Sequence, residues 1–471
     1  MKMLFIVATD TTKKIQMYYP PLGIGYMISV LRKKFGKDAI EFRVIDTDLE
    51  KNIIEFKPDI VGISSVTMNY NIAKEHAKTA KKHSLPVLIG GYHISAIPSS
   101  ITEDMDIGVI GEGEITICEL VDMFMRKGSF DIEGLKNIDG IVYRDSGEIR
   151  ITKRRDPIKA LDDIPLPARD ILEKQNYGYM FTTRGCPYNC VFCSSTRFWH
   201  GVRLFSAEYV FNEIKYIIEN YNAKHIHFYD DVFAINKKRV KDIIKLLEDH
   251  GFLGKVQFSG HARANLVDEE MAKLLKKVGF KAVAIGFESA NEETLKYLKG
   301  GTVTVEDNKR AVKLVKKYGM RVHGSFIIGA PKESRKNIME TFEFIKKNDF
   351  DEIFVNLLTP LPGTPLWDYS KSRDLVSNDM DWDKLKFKFA DDYKNAIIVS
   401  EILSREELRE LFKMFLNEQR KKKIFRLIKS GVRHPLEIPK FLKEEISRSL
   451  KVKRNVKRRK STQNLEKCKT S

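Results

Sequence analysis

Met180-Phe-Thr-Thr-Arg-Gly-Cys-Pro-Tyr-Asn-Cys-Val-Phe-Cys-Ser-Ser-Thr-Arg-Phe-Trp-His200 is the stretch that decides how this chain is read. Cys186, Cys190 and Cys193 stand in a CxxxCxxC spacing. Residues 179–183 read as a short strand, Arg184-Gly185 as a turn, and Pro187-Tyr188-Asn189 as a loop. Three thiolates on one short loop can hold three irons of a 4Fe–4S cluster and leave the fourth iron open to another ligand. Zinc sites close four ligands with paired CxxC spacings, and no second pair exists here. The other two cysteines, Cys118 and Cys468, are remote. Three buried cysteines that merely happen to cluster is therefore the weaker reading.

Downstream, strand and helix patterns alternate. Strands are predicted at 179–183, 225–229, 256–260, 282–287, 321–328 and 353–357, with helices between them, such as 207–221 and 237–250. Six such units predict a partial (β/α)6 barrel whose site lies at the carboxyl ends of the strands. The cysteine loop follows the first strand, where such a site belongs. Polar residues recur at the other strand ends: Tyr229-Asp230-Asp231, His261-Ala262-Arg263, Glu288-Ser289, Ser325 and, after the sixth, Leu361-Pro362-Gly363-Thr364-Pro365. An Asp at such a place also suits a helix N-cap.

Upstream, apolar runs of β type at 3–8, 41–45, 60–65, 86–91 and 107–110 alternate with helical spacings at 24–36, 72–83 and 115–126. This predicts a doubly wound, parallel, Rossmann-like sheet that binds its ligand outside the carboxyl ends of its strands. The loops there are small and polar: Tyr18-Tyr19-Pro20-Pro21-Leu22-Gly23, Ser64-Ser65-Val66-Thr67, Gly90-Gly91-Tyr92-His93 and Gly111-Glu112-Gly113-Glu114. Glycines there let a bulky ligand approach the backbone, although each alone reads as an ordinary turn. Residues 140–152 read as a hairpin, and 161–170 as a proline-fixed linker.

The domain expectation is 1–133 for the first sheet, 134–175 for hairpin and linker, 176–370 for the barrel and 371–471 for a helical, basic extension. Net charge is +18, yet residues 419–471 hold 19 Lys and Arg against 4 Asp and Glu, so the body is close to neutral. Residues 404–420 open with a capping box and continue as an amphipathic helix. The basic and apolar residues beyond, closed by Lys457-Arg458-Arg459-Lys460, fit an anionic membrane surface, nucleic acid or a solvated tail. No apolar run approaches the ~20 residues of a membrane span. The N-terminus reads as a first strand rather than a signal peptide. Few cysteines, three of them on one loop, suit a cytoplasmic protein, peripheral at the membrane if the tail binds lipid.

The 180–200 stretch resembles the signature of the radical S-adenosylmethionine (SAM) superfamily. The resemblance implies that the open iron binds the amino and carboxylate groups of SAM. It implies that an electron from the cluster then cleaves SAM to methionine and a 5′-deoxyadenosyl radical. It places Phe192 over the cluster and carries over Asp230, Asp231, Arg263, Glu288 and Ser325 as SAM contacts. A carboxylate at Asp230 or Asp231 would meet the ammonium, and Glu288 the ribose hydroxyls.

The upstream loops together resemble the cobalamin-binding domain found ahead of many radical SAM enzymes. The implied contacts are Pro21, Leu22, Gly23, Ser64, Thr67, Gly90, Gly91, His93, Gly111, Glu112 and Glu114. The DxHxxG pattern that supplies a lower His ligand is absent, so the resemblance is to the subgroup that holds cobalamin without it. His93 reads as a cobalt ligand or as an ordinary loop histidine, and a scaffold without cobalamin is the alternative.

The expected function is radical hydrogen abstraction from an unactivated carbon followed by methyl transfer from methylcobalamin. Radical cyclisation or C–C bond formation on a lipid or tetrapyrrole is the alternative, and a non-catalytic cobalamin or cluster sensor the second. tRNA methylthiolation would need three cysteines in the first domain, which has only Cys118. Expected partners are a small-molecule or lipid substrate and a low-potential donor of the flavodoxin or ferredoxin type. A membrane surface met through the tail comes next, ahead of nucleic acid.

Overall fold

Apolar runs that are buried on both faces build the first sheet. Met3, Leu4, Phe5 and Ile6 of β1 (Lys2–Val7) are all buried, as are Ile60, Val61 and Ile63 of β3 (Ile60–Ser64), which is the pattern of a parallel sheet covered on both sides. The computed structural model of the chain describes residues 1–10, 20–172, 178–385 and 395–431. After β1 come α1 (Leu22–Phe35), β2 (Glu41–Ile45) and α2 (Leu49–Phe56). After β3 come α3 (Tyr70–Lys82), β4 (Val87–Gly90), α4 (Tyr92–Ala96), β5 (Ile107–Val109), α5 (Glu114–Lys127) and α6 (Ile132–Leu135). The hairpin β6 (Ile141–Asp145) and β7 (Glu148–Ile151) completes a sheet of order β2-β1-β3-β4-β5-β6-β7. β1 to β5 run parallel, and β6 pairs antiparallel with β5, Gly108 opposite Val142. The order turns back between β1 and β3, which is where a sheet of this kind opens a crevice.

Two expectations need correction here. The hairpin at 140–152 is the far edge of the first sheet, not part of a separate linker piece, because its first strand buries Ile141, Val142 and Tyr143 against β5. A helix missing from the sequence reading, α2, buries Leu49, Ile53 and Phe56 at helical spacing.

The second sheet is the open barrel. Its strands are β8 (Tyr179–Met180), β11 (His225–Phe228), β12 (Gln257–Ala262), β13 (Phe280–Glu288), β14 (Arg321–Ile328) and β15 (Glu352–Leu357), all parallel and in that order. The predicted strand at 179–183 splits. Only Tyr179 and Met180 pair with β11, while β9 (Thr183–Arg184) pairs antiparallel with β10 (Arg203–Leu204) and closes the cysteine loop at its base. That loop holds the short α7 (Ser195–Trp199). The barrel helices are α8 (Ala207–Tyr221), α9 (Lys237–Asp249), α10 (Glu269–Val278), α11 (Glu292–Lys299), α12 (Val305–Lys317) and α13 (Arg335–Lys347). Each begins at a Ser, Asn, Asp or Thr whose side chain accepts a backbone N–H: Ser206, Asn236, Asp268, Asn291, Thr304 and Ser334.

The two sheets share apolar packing. Ile94, Ile97 and Ile101 of the first domain cluster with Ile327, Leu358, Leu366 and Trp367 of the second, and Val191 and Phe192 pack on the same group. α14 (Pro365–Lys371) follows β15. α15 (Arg405–Gly431) starts at the expected capping box, in which Ser404 N–H donates to Glu407 and Glu407 N–H donates to Ser404. Leu408, Leu411 and Phe415 of α15 enter the barrel core. The basic run from 432 onward lies outside the described residues. Among those described, no helix is long and apolar enough to cross a membrane.

Phe228 is fully buried on β11, its ring 4.5 Å from Phe233 and 5.0 Å from Phe258. Phe228→Ala should cost about 3–5 kcal/mol by cavity formation. The shift of the urea midpoint measures it, and an unchanged midpoint would contradict the packing.

Candidate active site

Gly185 explains the shape of the cysteine loop. Its φ is +83°, and a Cβ there would lie 2.0 Å from the Gly201 carbonyl oxygen and 2.8 Å from Trp199 Cβ. Only glycine lets the strand turn this tightly under the end of α7. The loop is then tied at its crown: Val191 N–H donates to the Leu298 carbonyl, and Leu366 N–H to that of Val191. Cys186 and Cys190 are buried, and Cys193 is half-buried. Burial raises the Cys186 thiol and pushes that of Cys193 up to about 12.

Among the described residues no three His, Cys, Asp or Glu side chains converge on a single ion. A cluster spreads its ligands over three irons instead, so three thiols on one loop fit it. Arg263 Nη1 donates to Cys190 Sγ at 3.3 Å, and its guanidinium lies 3.8 Å from the Tyr188 ring centroid. This places a cation against the middle thiol of the cysteine loop.

The predicted SAM contacts divide. Asp230 is fully buried, and its carboxylate accepts Thr182 N–H at 2.6 Å, Thr183 N–H at 3.0 Å and the Thr182 hydroxyl. Burial raises its pKa, against the pull of Arg239 and the Thr182 hydrogen bonds. It anchors the cysteine strand rather than offering a free carboxylate to an ammonium. Asp231 is exposed and takes a hydrogen bond from Ser195 just past the last cysteine. Arg263 and Glu288 are both buried near the cluster loop. Glu288 ends β13 with φ +60°, an uncommon state for a non-glycine residue. Its Oε1 lies 3.6 Å from Lys299 Nζ. Burial raises the Glu288 pKa and lowers that of Lys299, and each partly restores the other. Ser325 is half-buried on β14, and Phe192 is half-buried against the core shared by the two domains. Tyr188, Lys299 and Thr302, which receives an Arg263 hydrogen bond at 2.5 Å, were not singled out from sequence. The Lys299-Gly300-Gly301-Thr302 turn was the available signal.

At the carboxyl edge of the first sheet, Pro21, Gly23, Ser64, Gly90, Gly91 and Gly111 stay at least partly accessible. Val66 and Met68 expose apolar surface beside them. A Cβ at Gly23 or Gly111 would meet nothing within 4 Å. The helices that start here, α1, α3, α4 and α5, have no side-chain N-cap. An open, partly apolar edge fits a large flat cofactor.

Other predicted contacts turn inward. Leu22 belongs to the barrel core. Thr67 is buried, its hydroxyl 3.3 Å from His93 Nδ1. His93 is fully buried between Tyr70 (3.8 Å) and Trp382 (4.5 Å). Burial lowers its pKa to about 3. It is a packed core residue, not an open cobalt ligand. Glu112 and Glu114 are engaged by Arg184.

The two carboxyl edges meet. Tyr92, after β4, donates to the Pro362 carbonyl after β15 at 2.8 Å, and its ring lies 6.0 Å from Phe198 of the cysteine loop. Inside the barrel, the strand residues turned away from the helices include His227, Ser259, His261, His323, Ser325, Phe354 and Asn356. His227 Nδ1 lies 2.7 Å from Ser259 Oγ, and its ring 5.4 Å from that of His261. Burial lowers the His227 pKa to about 4, with His261, His225 and His323 adding to the effect. Burial also lowers the pKa of His261 and His323, so the histidines of this wall are held toward their neutral form.

Glu333, after β14, accepts Gly329 N–H at 2.7 Å and Ala330 N–H at 3.1 Å in a buried setting. Burial pushes its pKa up from 4.5 to about 7. The folded chain therefore holds this proton more tightly than the unfolded chain. The stability it adds is complete below pH 4.5 and is lost as pH rises through 7. Wild type should lose about 3 kcal/mol relative to Glu333→Gln between those limits. Urea titrations of both proteins across the range check it, and parallel pH profiles would contradict it.

Comparisons with known proteins agree with this geometry. Residues 180–345 match the radical SAM superfamily and residues 9–121 the B12 binding domain. An uncharacterized methyltransferase of Pyrococcus horikoshii is 37% identical over 381 residues, covering 78% of this chain and 81% of that one. The anaerobic magnesium-protoporphyrin IX monomethyl ester cyclase of Cereibacter sphaeroides is 27% identical over 412 residues, covering 83% of this chain and 65% of the cyclase. In fold, the chain is similar to the radical SAM methyltransferase TsrM from Kitasatospora setae, solved with tryptophan substrate and a SAM analog. The TM-score is 0.67 at 18% identity, over 81% of this chain and 79% of that one. A cysteine loop at the mouth of an open barrel, faced by the carboxyl edge of a B12-type sheet, makes this chain a member of the cobalamin-dependent radical SAM methyltransferase family, whose cofactors are a 4Fe–4S cluster, SAM and cobalamin.

Proposed function

We propose that this chain methylates an unactivated carbon of a small organic molecule held in the barrel chamber. The observation that carries the reading is the face-to-face arrangement of the two carboxyl edges. The cysteine loop and the open edge of the first sheet both border the barrel mouth. When bound, the cluster and SAM supply radical hydrogen abstraction and cobalamin supplies the methyl donor. Cys186, Cys190 and Cys193 would hold the cluster. Arg263, Glu288 and Asp231 would contact SAM, and the edge around Gly23, Val66, Gly90 and Gly111 would take the corrin.

The chain's own residues do the positioning. The buried Glu288–Lys299 pair offers fixed polar atoms at the barrel mouth without net charge. The wall of His227, Ser259, His261, Ser325 and Asn356 suits a substrate with uncharged polar edges, and Phe354 adds an apolar face. A low-potential donor of the flavodoxin or ferredoxin type would reduce the cluster. Contact of the basic tail with an anionic membrane would serve a substrate drawn from lipid. The cyclase among the relatives supports a second reading, ring closure without methyl transfer.

Anaerobic reconstitution tests the proposal. About four iron and about one cobalt per chain are expected, with 5′-deoxyadenosine released under a low-potential reductant. Iron and SAM cleavage without cobalt uptake would remove methyl transfer through cobalamin.

A further inference from the structure

Gly111-Glu112-Gly113-Glu114 sits at the edge where cobalamin is expected, yet both carboxylates point the other way. Glu112 Oε1 lies 2.5 Å from Arg184 Nη1, and Glu114 Oε1 lies 2.5 Å from Arg184 Nη2. The second oxygen of Glu112 lies 2.7 Å from Arg203 Nη1 and accepts Ile158 N–H at 2.8 Å. The side chains of Arg184, Glu112 and Glu114 are 4%, 7% and 8% exposed. The Arg184 guanidinium plane is flanked by Tyr26 and Trp199, each centroid 5.4 Å away. Two acids thus balance two arginines in a sealed contact between the domains.

The place of this contact gives it a role. Arg184 is two residues before Cys186, and it pairs with Arg203 across the ladder that closes the cysteine loop. Glu112 lies in the turn between β5 and α5, and Glu114 opens α5. That turn is tied to the β4 turn by Ser95, whose hydroxyl accepts Gly111 N–H at 2.9 Å and donates to the Gly91 carbonyl at 2.8 Å. One chain of contacts therefore runs from the first cysteine to two of the cobalamin-edge loops. Buried ion pairs add little net stability, because desolvation offsets attraction, but they enforce one geometry. A forked guanidinium reading two carboxylates fixes direction as well as distance.

We propose that Arg184, Arg203, Glu112 and Glu114 form a latch that sets the spacing between the cysteine loop and the cobalamin edge. They are positioning residues, not cofactor ligands. The proposal rests on the two-cofactor reading above, and its first test needs neither cofactor.

Hydrogen exchange of the full chain without cofactors should show faster exchange, by about tenfold, in both 108–115 and 183–194 for Arg184→Gln. Segment 257–288 should be unchanged, which separates loss of the latch from general loosening. Arg184→Lys should restore part of the protection. If Arg184→Gln does not fold, the Glu112→Gln, Glu114→Gln double variant carries the test, with 183–194 as the readout. Exchange that rises everywhere, or only in the segment bearing the substitution, overturns the latch. In reconstituted protein, pulsed EPR between the reduced cluster and cob(II)alamin should give a broadened distance distribution in Arg184→Gln. A distribution as narrow as that of wild type also overturns it. If wild type takes up no cobalt, the two-cofactor reading fails, and the exchange result still decides the latch.

Discussion

The Asp230 carboxylate is the contact on which the site depends. The first barrel strand pairs with its neighbour through only two residues, Tyr179 and Met180, too few to hold a loop carrying three thiols. Asp230, at the end of the next strand, takes up the backbone N–H groups of Thr182 and Thr183 where strand pairing has stopped. Arg239 then donates to the Thr182 carbonyl at 2.6 Å. Both ends of the Thr182 residue are thereby fixed by charged, buried side chains, and hydrogen bonds to charged groups are the stronger kind. The turn at Gly185 and everything after it inherits that fixed starting point.

From this anchor the rest of the site follows by geometry. Parallel strands place all the loops that follow them at one end, so two such sheets with their carboxyl ends facing bring two sets of loops together. Apolar packing of Ile97 and Ile101 against Leu366 and Trp367 supplies adhesion. Polar contacts through Tyr92, Glu112 and Glu114 supply direction. Adhesion alone would tolerate sliding, because apolar contact is non-directional.

The cysteine loop, the strand–helix alternation and most strand positions could be read from the sequence, because each depends on neighbours in the chain. The paired residues could not. Thr182 and Asp230 are 48 positions apart, and Arg184 and Glu112 are 72 apart. From sequence alone, a carboxylate at a strand end looks the same whether it waits for a ligand or is already held by backbone. This is why Asp230, Glu112 and Glu114 read as ligand contacts, whereas in the fold their carboxylates are taken up by Thr182, Arg184 and Arg203. His93 misled for a related reason: Trp382, one of the rings that encloses it, arrives from nearly 300 residues further on. The hairpin at 140–152 could be read as a hairpin, but its membership of the first sheet depended on its pairing with β5.

Among the described residues β15 ends its row of strands, with one flank free of a strand partner, and α15 lies against it. Phe415 of that helix is buried beside Phe342 of α13, and Arg426 reaches Glu352 at 2.8 Å. An unshielded parallel edge is a template for association with other chains. The basic extension is therefore hung from a helix the barrel cannot shed without exposing that edge. A chain shortened into α15 would bare that edge, and selection would meet its solubility before its catalysis.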